Sequence, residues 1–598
     1  MGISLGRNST MRRYLLRSGG VLGVIGVVFL NFPITDAVSG EKSEVVAVEE
    51  KVLEEEPINI EELLTGMSLT EKVGQLMIVG FGGTKVDSHI SKWIRDRKVG
   101  GVILFARNIV DLEQIARFTR ELHELTRDGI PLFLGLDQEG GNVIRLKDGA
   151  MLLPGNMALG ASRSPMLSYV AGQGLAIDLA RVGFNMNLAP VLDVNSNPRN
   201  PVIGVRSYGE RADLVGALGA WFVRGQQEMG IAGVAKHFPG HGNTFGDSHF
   251  SMPSSYIDRQ RLFELELSPF RTAIDAGLDA IMTAHIALPR ITESPRLPAT
   301  LSKNVITNIL RGDLGFEGVV MTDGLEMQGI VEKYGTGKAA VKAILAGADM
   351  PMVLWTAQKK ESVYNSITEA VENGTISVER LNQSVRRILR LKKKRGIFKR
   401  DLVNYDSVVR GGNYNPVHEQ VTQRIAREAV TLVRNHGDML PLSTTGNRKI
   451  VVMAPQGEFT NRLAREKNIT IVRVPSVPSR TQREDGVARI LRAAQDVDGL
   501  VLVAINRYHV SMIAEIVAKK PDIPTAFISF ASPYYLSSVP SADAYVCTYS
   551  YSRVAQIAAA QALLGETRMT GRLPVSIPGF YSYGHRVEDR IVALPVLQ

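Results

Sequence analysis

Read only for hydrophobic and polar positions, residues 66–355 alternate short apolar runs with longer amphipathic segments. The runs are Gln75–Gly80, Gly101–Phe105, Pro131–Leu136, Asn185–Ala189, Gly233–Lys236, Ala280–Thr283, Gly318–Met321 and Met350–Leu354. Most are apolar nearly throughout, which a strand buried on both faces requires. Intervening stretches such as Asp111–Arg127 and Leu262–Ala276 read as helices. Eight strands alternating with helices predict a closed (β/α)8 barrel of the TIM type, whose functional groups gather at the C-terminal strand ends. Polar residues fall there: Asp137 after the third run, Lys236 and His237 ending the fifth, His285 the sixth and Asp323 the seventh.

A second α/β rhythm follows Arg400, with apolar runs at Val430–Val433, Lys449–Met453, Ile469–Val472, Gly499–Ala504, Thr525–Ser529 and Ala544–Thr548. Helical segments, Arg483–Gln495 and Val510–Lys519 among them, lie between, so a smaller doubly wound α/β sandwich domain is expected. No G-x-G-x-x-G follows any of these strands, so no dinucleotide site is indicated. The expected organisation is an N-terminal signal or anchor over 1–40, an acidic linker over 41–65, the barrel over 66–400, a linker over 401–425 and the second domain over 426–598.

Charge sharpens the ends of that scheme. Arg7, Arg12, Arg13 and Arg17 precede an apolar run from Val21 to Phe32, and Ala37-Val38-Ser39 follows. A positive flank, a short apolar core and a small-residue exit read as a secretory signal. The run is shorter than the ~20 residues of a spanning helix, an uncleaved anchor being the alternative. No cysteine follows it, which excludes a lipoprotein anchor. Residues 41–62 hold nine Glu and two Lys and no aromatic residue, and read as an extended tether. The remainder carries +13 of a whole-chain total of +9. A cationic exported body suits an anionic surface such as a cell wall, and equally an ordinary basic surface. Nucleic acid is not indicated. The densest run, Lys392-Lys393-Lys394-Arg395, closes a helix marked by Leu381, Val385, Ile388 and Leu389, where cations complement the helix dipole. Composition is globular, at 44% hydrophobic and 22% charged, which excludes collagen-like, wholly disordered and multispan membrane classes. The single cysteine, Cys547, rules out an intrachain disulfide and any cysteine-built zinc or iron–sulfur site.

The chemistry concentrates in one loop. Three of ten histidines, His237, His241 and His249, lie within thirteen residues of a segment broken by Pro239, Gly240, Gly242 and Gly246. Those breakers argue against a helix, and so against the helical two-histidine zinc motif, with zinc on these histidines the minor alternative. Asp247 and His249 stand at i and i+2, so the carboxylate can orient the imidazole and raise its pKa for proton donation. Equally, Asp247 can bond loop amides, with His249 incidental. Asp323 before Gly324 also reads as a helix N-cap, Asp137 with Arg145 as a surface ion pair, and His285 as a core histidine.

Lys236-His237-Phe238-Pro239-Gly240-His241-Gly242 followed by Asp247-Ser248-His249 resembles the signature of family 3 glycoside hydrolases, in particular their β-N-acetylglucosaminidase branch. Asp137-Gln138-Glu139-Gly140-Gly141 with Arg145, Arg206-Ser207-Tyr208-Gly209 and Val320-Met321-Thr322-Asp323 agree in order and spacing. Gly571-Arg572-Leu573-Pro574-Val575 is similar to part of that family's second domain. The resemblance implies that Asp323 is the nucleophile of a retaining, metal-free, cofactor-free mechanism. It implies His249 as general acid/base oriented by Asp247, and Asp137, Arg145, Arg206, Lys236 and His237 as sugar-binding residues. Glu139 and His241 are expected to support the loops. Asn243 departs from the acidic residue of many relatives. The implied activity is exo-acting release of terminal N-acetylglucosamine from muropeptides or chitooligosaccharides. Its rivals are a β-glucosidase or a phosphorylase on the same fold, or a non-catalytic wall-binding protein.

Overall fold

The computed structural model describes residues 58–246, 252–399, 416–442 and 448–588. The expected signal or anchor, most of the acidic linker and the Asp247–His249 pair lie outside the described residues. Among the described residues no helix is long and apolar enough to cross a membrane.

Eight parallel strands close a barrel in sequence order. They are β1 (Ile78–Gly80), β2 (Gly101–Ile103), β3 (Phe133–Leu136), β4 (Met186–Asn187), β5 (Ala232–Phe238), β6 (Ala280–Thr283), β7 (Val319–Gly324) and β8 (Met350–Val353). β8 returns to β1, with Ile78 opposite Met352 and Val79 opposite Val353. Each of the eight apolar runs overlaps one strand, β5 and β7 extending beyond theirs, because a barrel strand faces side chains within and helices without. The helix Leu69–Leu76 opens on a capping box, Ser68 Oγ accepting from Glu71 N while Glu71 accepts from Ser68 N at 2.8 Å.

Three expectations are corrected. The described residues begin at Ile58, inside the expected acidic linker, and there Asn59 caps a helix Ile60–Gly66 that buries Ile60 and Leu64. Glu61 of that helix pairs with Arg386, so it is not part of a free tether. A helix Pro416–Ala429 occupies the C-terminal part of the expected 401–425 linker, burying Thr422, Ile425, Ala426 and Ala429. The cationic run at 392–395 is also more than a dipole complement. Lys392 is fully buried and donates to Gln75 Oε1 at 2.7 Å, and Lys394 and Arg395 both pair with Asp279.

The second domain is a six-stranded sheet of β9 (Thr431–Asn435), β10 (Ile450–Pro455), β11 (Ile469–Val474), β12 (Gly499–Ala504), β13 (Thr525–Ser529) and β14 (Ala544–Cys547). Their spatial order is β11-β10-β12-β13-β14-β9, parallel except for β9, which runs antiparallel along β14. Alternate residues feed two cores: Val451 and Met453 enter one, and Ile450, Val452 and Ala454 the other. The first core also takes Met157, Ala158 and Ala161 from the barrel domain, so one sheet face is the seam. The Gly571–Val575 motif lies along it. Arg572 N donates to Ala161 O at 3.0 Å and Glu210 N to Pro574 O at 3.0 Å. Glu210 in turn accepts from Ser576 N and Oγ at 2.8 and 2.6 Å.

Candidate active site

The C-terminal ends of β3, β5 and β7 carry Asp137, Lys236 with His237, and Asp323. Lys236 is 2% exposed, and its ammonium sits between Asp137 Oδ1 at 2.6 Å and Glu139 Oε1 at 2.7 Å. Arg206, from a 3-10 turn in the long loop after β4, grips Glu139 with two bonds, Nε at 2.9 Å and Nη2 at 2.7 Å. Arg145 Nη2 lies 3.7 Å from Asp137 Oδ2. Five of the expected residues therefore meet in one charged cluster or, as with His237, border it through the chain. Glu139, expected only as loop support, is its hub.

Burial alone would neutralise these groups, and their mutual charge prevents it. Burial pushes the Glu139 carboxyl up, but Arg206 and Lys236 hold it far below the usual carboxylate range. Burial pushes Lys236 down, yet Asp137 and Glu139 leave it above its ordinary value. Asp137, Arg145 and Arg206 stay partly exposed, so the cluster is a charged floor with atoms still open to a ligand.

The capping reading of Asp323 does not hold. It lies within β7, its Oδ1 accepts from Gly324 N at 2.7 Å, and the next helix begins at Gln328 with Met327 before it. His285 braces the same spot: fully buried, it donates from Nε2 to Gly324 O at 3.1 Å, and its Nδ1 lies 2.9 Å from Thr300 Oγ1. Glu326 gathers the amides of Leu354, Trp355 and Thr356 at 2.6, 2.5 and 2.8 Å, fixing the exit from β8 where the Trp355 side chain is exposed.

The loop after β5 is tied down from below. Gly242 approaches Val194 O so closely that a Cβ would stand 1.7 Å from it, and Gly240 has φ +126° over Glu266. Asn200 Nδ2 donates to the carbonyls of His241, Gly242 and Thr244. Asn243, the departure from the motif, bridges Ser255 at 3.0 Å and Arg261 at 3.4 Å. His241 Nδ1 is engaged with Thr244 Oγ1 at 2.7 Å, and burial pushes its imidazole down to about 4.

The residue that sequence reasoning missed is Asp193. It is fully buried and accepts from His237 Nδ1 at 2.7 Å and His241 N at 2.6 Å. Its signal was an acid inside the apolar run Leu188–Val194, which continues β4 alongside β5: Leu192 N donates to Lys236 O at 2.6 Å. Among the described residues no group of three or more His, Cys, Asp or Glu is arranged to hold a metal ion. Asp137 and Glu139 are held by lysine and arginine.

A profile described as the glycosyl hydrolase family 3 N-terminal domain matches residues 68–391, more than half of the chain. The chain belongs to glycosyl hydrolase family 3. This family 3 enzyme is a glycoside hydrolase. It is similar to "Beta-hexosaminidase A" of Pseudoalteromonas piscicida, 29% identical over 568 residues, covering 83% of this chain and 92% of the relative. It is similar to a "Beta-N-acetylglucosaminidase/beta-glucosidase" of Cellulomonas fimi, 28% identical over 542 residues, covering 86% and 94%. Among solved structures it is similar to a family 3 β-N-acetylglucosaminidase from Paenibacillus sp. str. FPU-7, at 37% identity and a TM-score of 0.79, covering 85% of this chain and 98% of that one.

Proposed function

We propose that this hydrolase is an exo-acting, retaining β-N-acetylglucosaminidase that removes terminal N-acetylglucosamine from cell-wall muropeptides or chitooligosaccharides outside the cytoplasm. The observation that carries the reading is the cluster of Asp137, Glu139, Lys236 and Arg206 on the barrel face that also bears Asp323. Fixed carboxylates and cations bind sugar hydroxyls by charge-assisted bonds, which suits recognition of a terminal sugar. Asp323 attacks the anomeric carbon and forms a glycosyl-enzyme. His249, oriented by Asp247, protonates the leaving oxygen and then takes a proton from water; both lie outside the described residues, and their roles rest on the motif. Export rests on the Arg-flanked apolar segment at the N-terminus and wall association on the +13 body, read from sequence. The names of the relatives from Pseudoalteromonas piscicida, Cellulomonas fimi and Paenibacillus support the sugar.

A second reading, activity on β-glucosides as well, is favoured by the double name of the Cellulomonas fimi relative. Hydrolysis of an aryl N-acetyl-β-glucosaminide and of its glucoside counterpart, each with and without inorganic phosphate, tests both. Strong preference for the N-acetyl sugar and indifference to phosphate are expected. Equal rates would establish the broader reading, and a phosphate-dependent sugar phosphate would make the enzyme a phosphorylase.

A further inference from the structure

Asp193 has no assigned part in the reaction, yet both its oxygens are engaged close to the site. Its side chain has 0% exposure and faces the chain end of β5. One oxygen lies 2.7 Å from His237 Nδ1, the other accepts from His241 N at 2.6 Å, and His237 N lies 3.3 and 3.4 Å from the two. The backbone around it is equally held. Ser207 Oγ donates to Asp193 O at 2.6 Å, and Asn195 N to Gly209 O at 2.8 Å. Burial pushes the Asp193 carboxyl up, but the hydrogen bond from His237 and the backbone amide of His241 help bring it below its ordinary value. It is therefore an anion, which only accepts hydrogen bonds.

We propose that Asp193 is the positioning residue of the sugar pocket. By holding the proton on His237 Nδ1 it fixes the ring plane and the tautomer, leaving Nε2 as the atom presented to a sugar hydroxyl. Neutral His237 then accepts from the hydroxyl at Nε2, and its charged form donates there; with the other tautomer the neutral ring could only donate. The two amide bonds lock the turn between His237 and His241 to the same carboxylate, so ring and loop are set together. This rests on the reading of His237 as a sugar contact. It extends that reading to a residue that touches no substrate.

The test is a double-mutant cycle in the full-length enzyme on an aryl N-acetyl-β-glucosaminide, with thermal unfolding of every variant. Asp193→Asn is expected to lower kcat/KM by on the order of 10–100-fold, the scale of one charge-assisted bond. In a His237→Ala background the same change should add less than about threefold, because residues acting as a unit are not additive. Multiplicative losses in the double variant, or ordinary kcat/KM in Asp193→Asn, would overturn the proposal. An impaired His237→Ala beside an unimpaired Asp193→Asn removes Asp193 alone, whereas an unimpaired His237→Ala removes the sugar-contact reading. If Asp193→Asn does not fold, nitrogen-15 spectra of the wild-type imidazoles decide. The His237 signals, assigned by their loss in His237→Gln, should show a neutral ring protonated at Nδ1, and protonation at Nε2 would refute the assignment.

Discussion

The two ends of the barrel both bury charge, and they use it differently. At the N-terminal end Asp349, just before β8, is fully buried and accepts from Arg311 at 2.6 Å, Arg387 at 3.0 Å, Ser384 at 2.7 Å and Val320 N at 3.0 Å. Asp279, just before β6, is likewise held by Lys394 and Arg395. At the C-terminal end Asp137, Arg145, Arg206 and Asp323 are only partly buried and keep atoms outward. Buried ion pairs by themselves therefore do not mark a site. A closed network holds strands together, while an open one at the other end of the same strands awaits a ligand.

Breaking each end separately should separate rate from stability. Asp323→Ala is expected to lower turnover by at least about 10⁴-fold, some 5 kcal/mol of barrier, because in the proposed mechanism Asp323 forms the glycosyl-enzyme. Its unfolding temperature should stay within a few degrees of wild type, and near-normal turnover in that folded variant would remove Asp323 from the chemistry. Asp349→Ala should do the reverse, costing about 3–5 kcal/mol in denaturant unfolding because it strands buried arginines. Burial already pushes Arg311 down to about 10. The kcat/KM per folded molecule should hold, and Asp349→Asn provides a milder step in the same direction. A selective loss of rate would mean that the two ends are coupled.

The smallest effect concerns an acid at the open end that lacks a close partner. Glu266 packs under Gly240, and burial pushes its carboxyl up to about 7, Arg261 at 3.6 Å only partly offsetting this. The folded protein therefore keeps a proton that the unfolded chain releases from about pH 4.3 upward. Its contribution to stability is present in acid and is lost as the pH rises through about 7. Glu266→Gln should unfold like wild type near pH 4 and be more stable at pH 8, by on the order of 2–4 kcal/mol. A Tm difference independent of pH would show that Glu266 is solvated.

What the sequence disclosed follows the same division. The eight barrel strands were legible because burial on both faces leaves no polar alternation to misread. Asp137, Lys236, His237 and Asp323 were legible because they interrupt apolarity at strand ends. Lys392 was not read as buried, although it stands four residues after Ile388 and three after Leu389, on the apolar stripe itself. Charge outweighed spacing in that reading. Asp193 was not legible because the fourth apolar run was closed at Ala189, while strand-like pairing with β5 continues past it. The helix Pro416–Ala429 was hidden behind a linker composition that ends just before it. The partnership of Glu139 with Lys236 and Arg206 joins the loop after β3, the strand β5 and the loop after β4, and no local pattern encodes it.

One consequence concerns the order of assembly. The barrel closes by pairing β1 with β8, and the second sheet is completed when β9, its first strand in sequence, lies antiparallel along β14, its last. Each domain is thus sealed by its own earliest and latest strands. Neither seal can form before nearly all of that domain has been synthesised, and such non-local pairing slows folding. Until then the β9 edge and the open barrel expose unpaired backbone, the state in which a chain is most open to wrong partners.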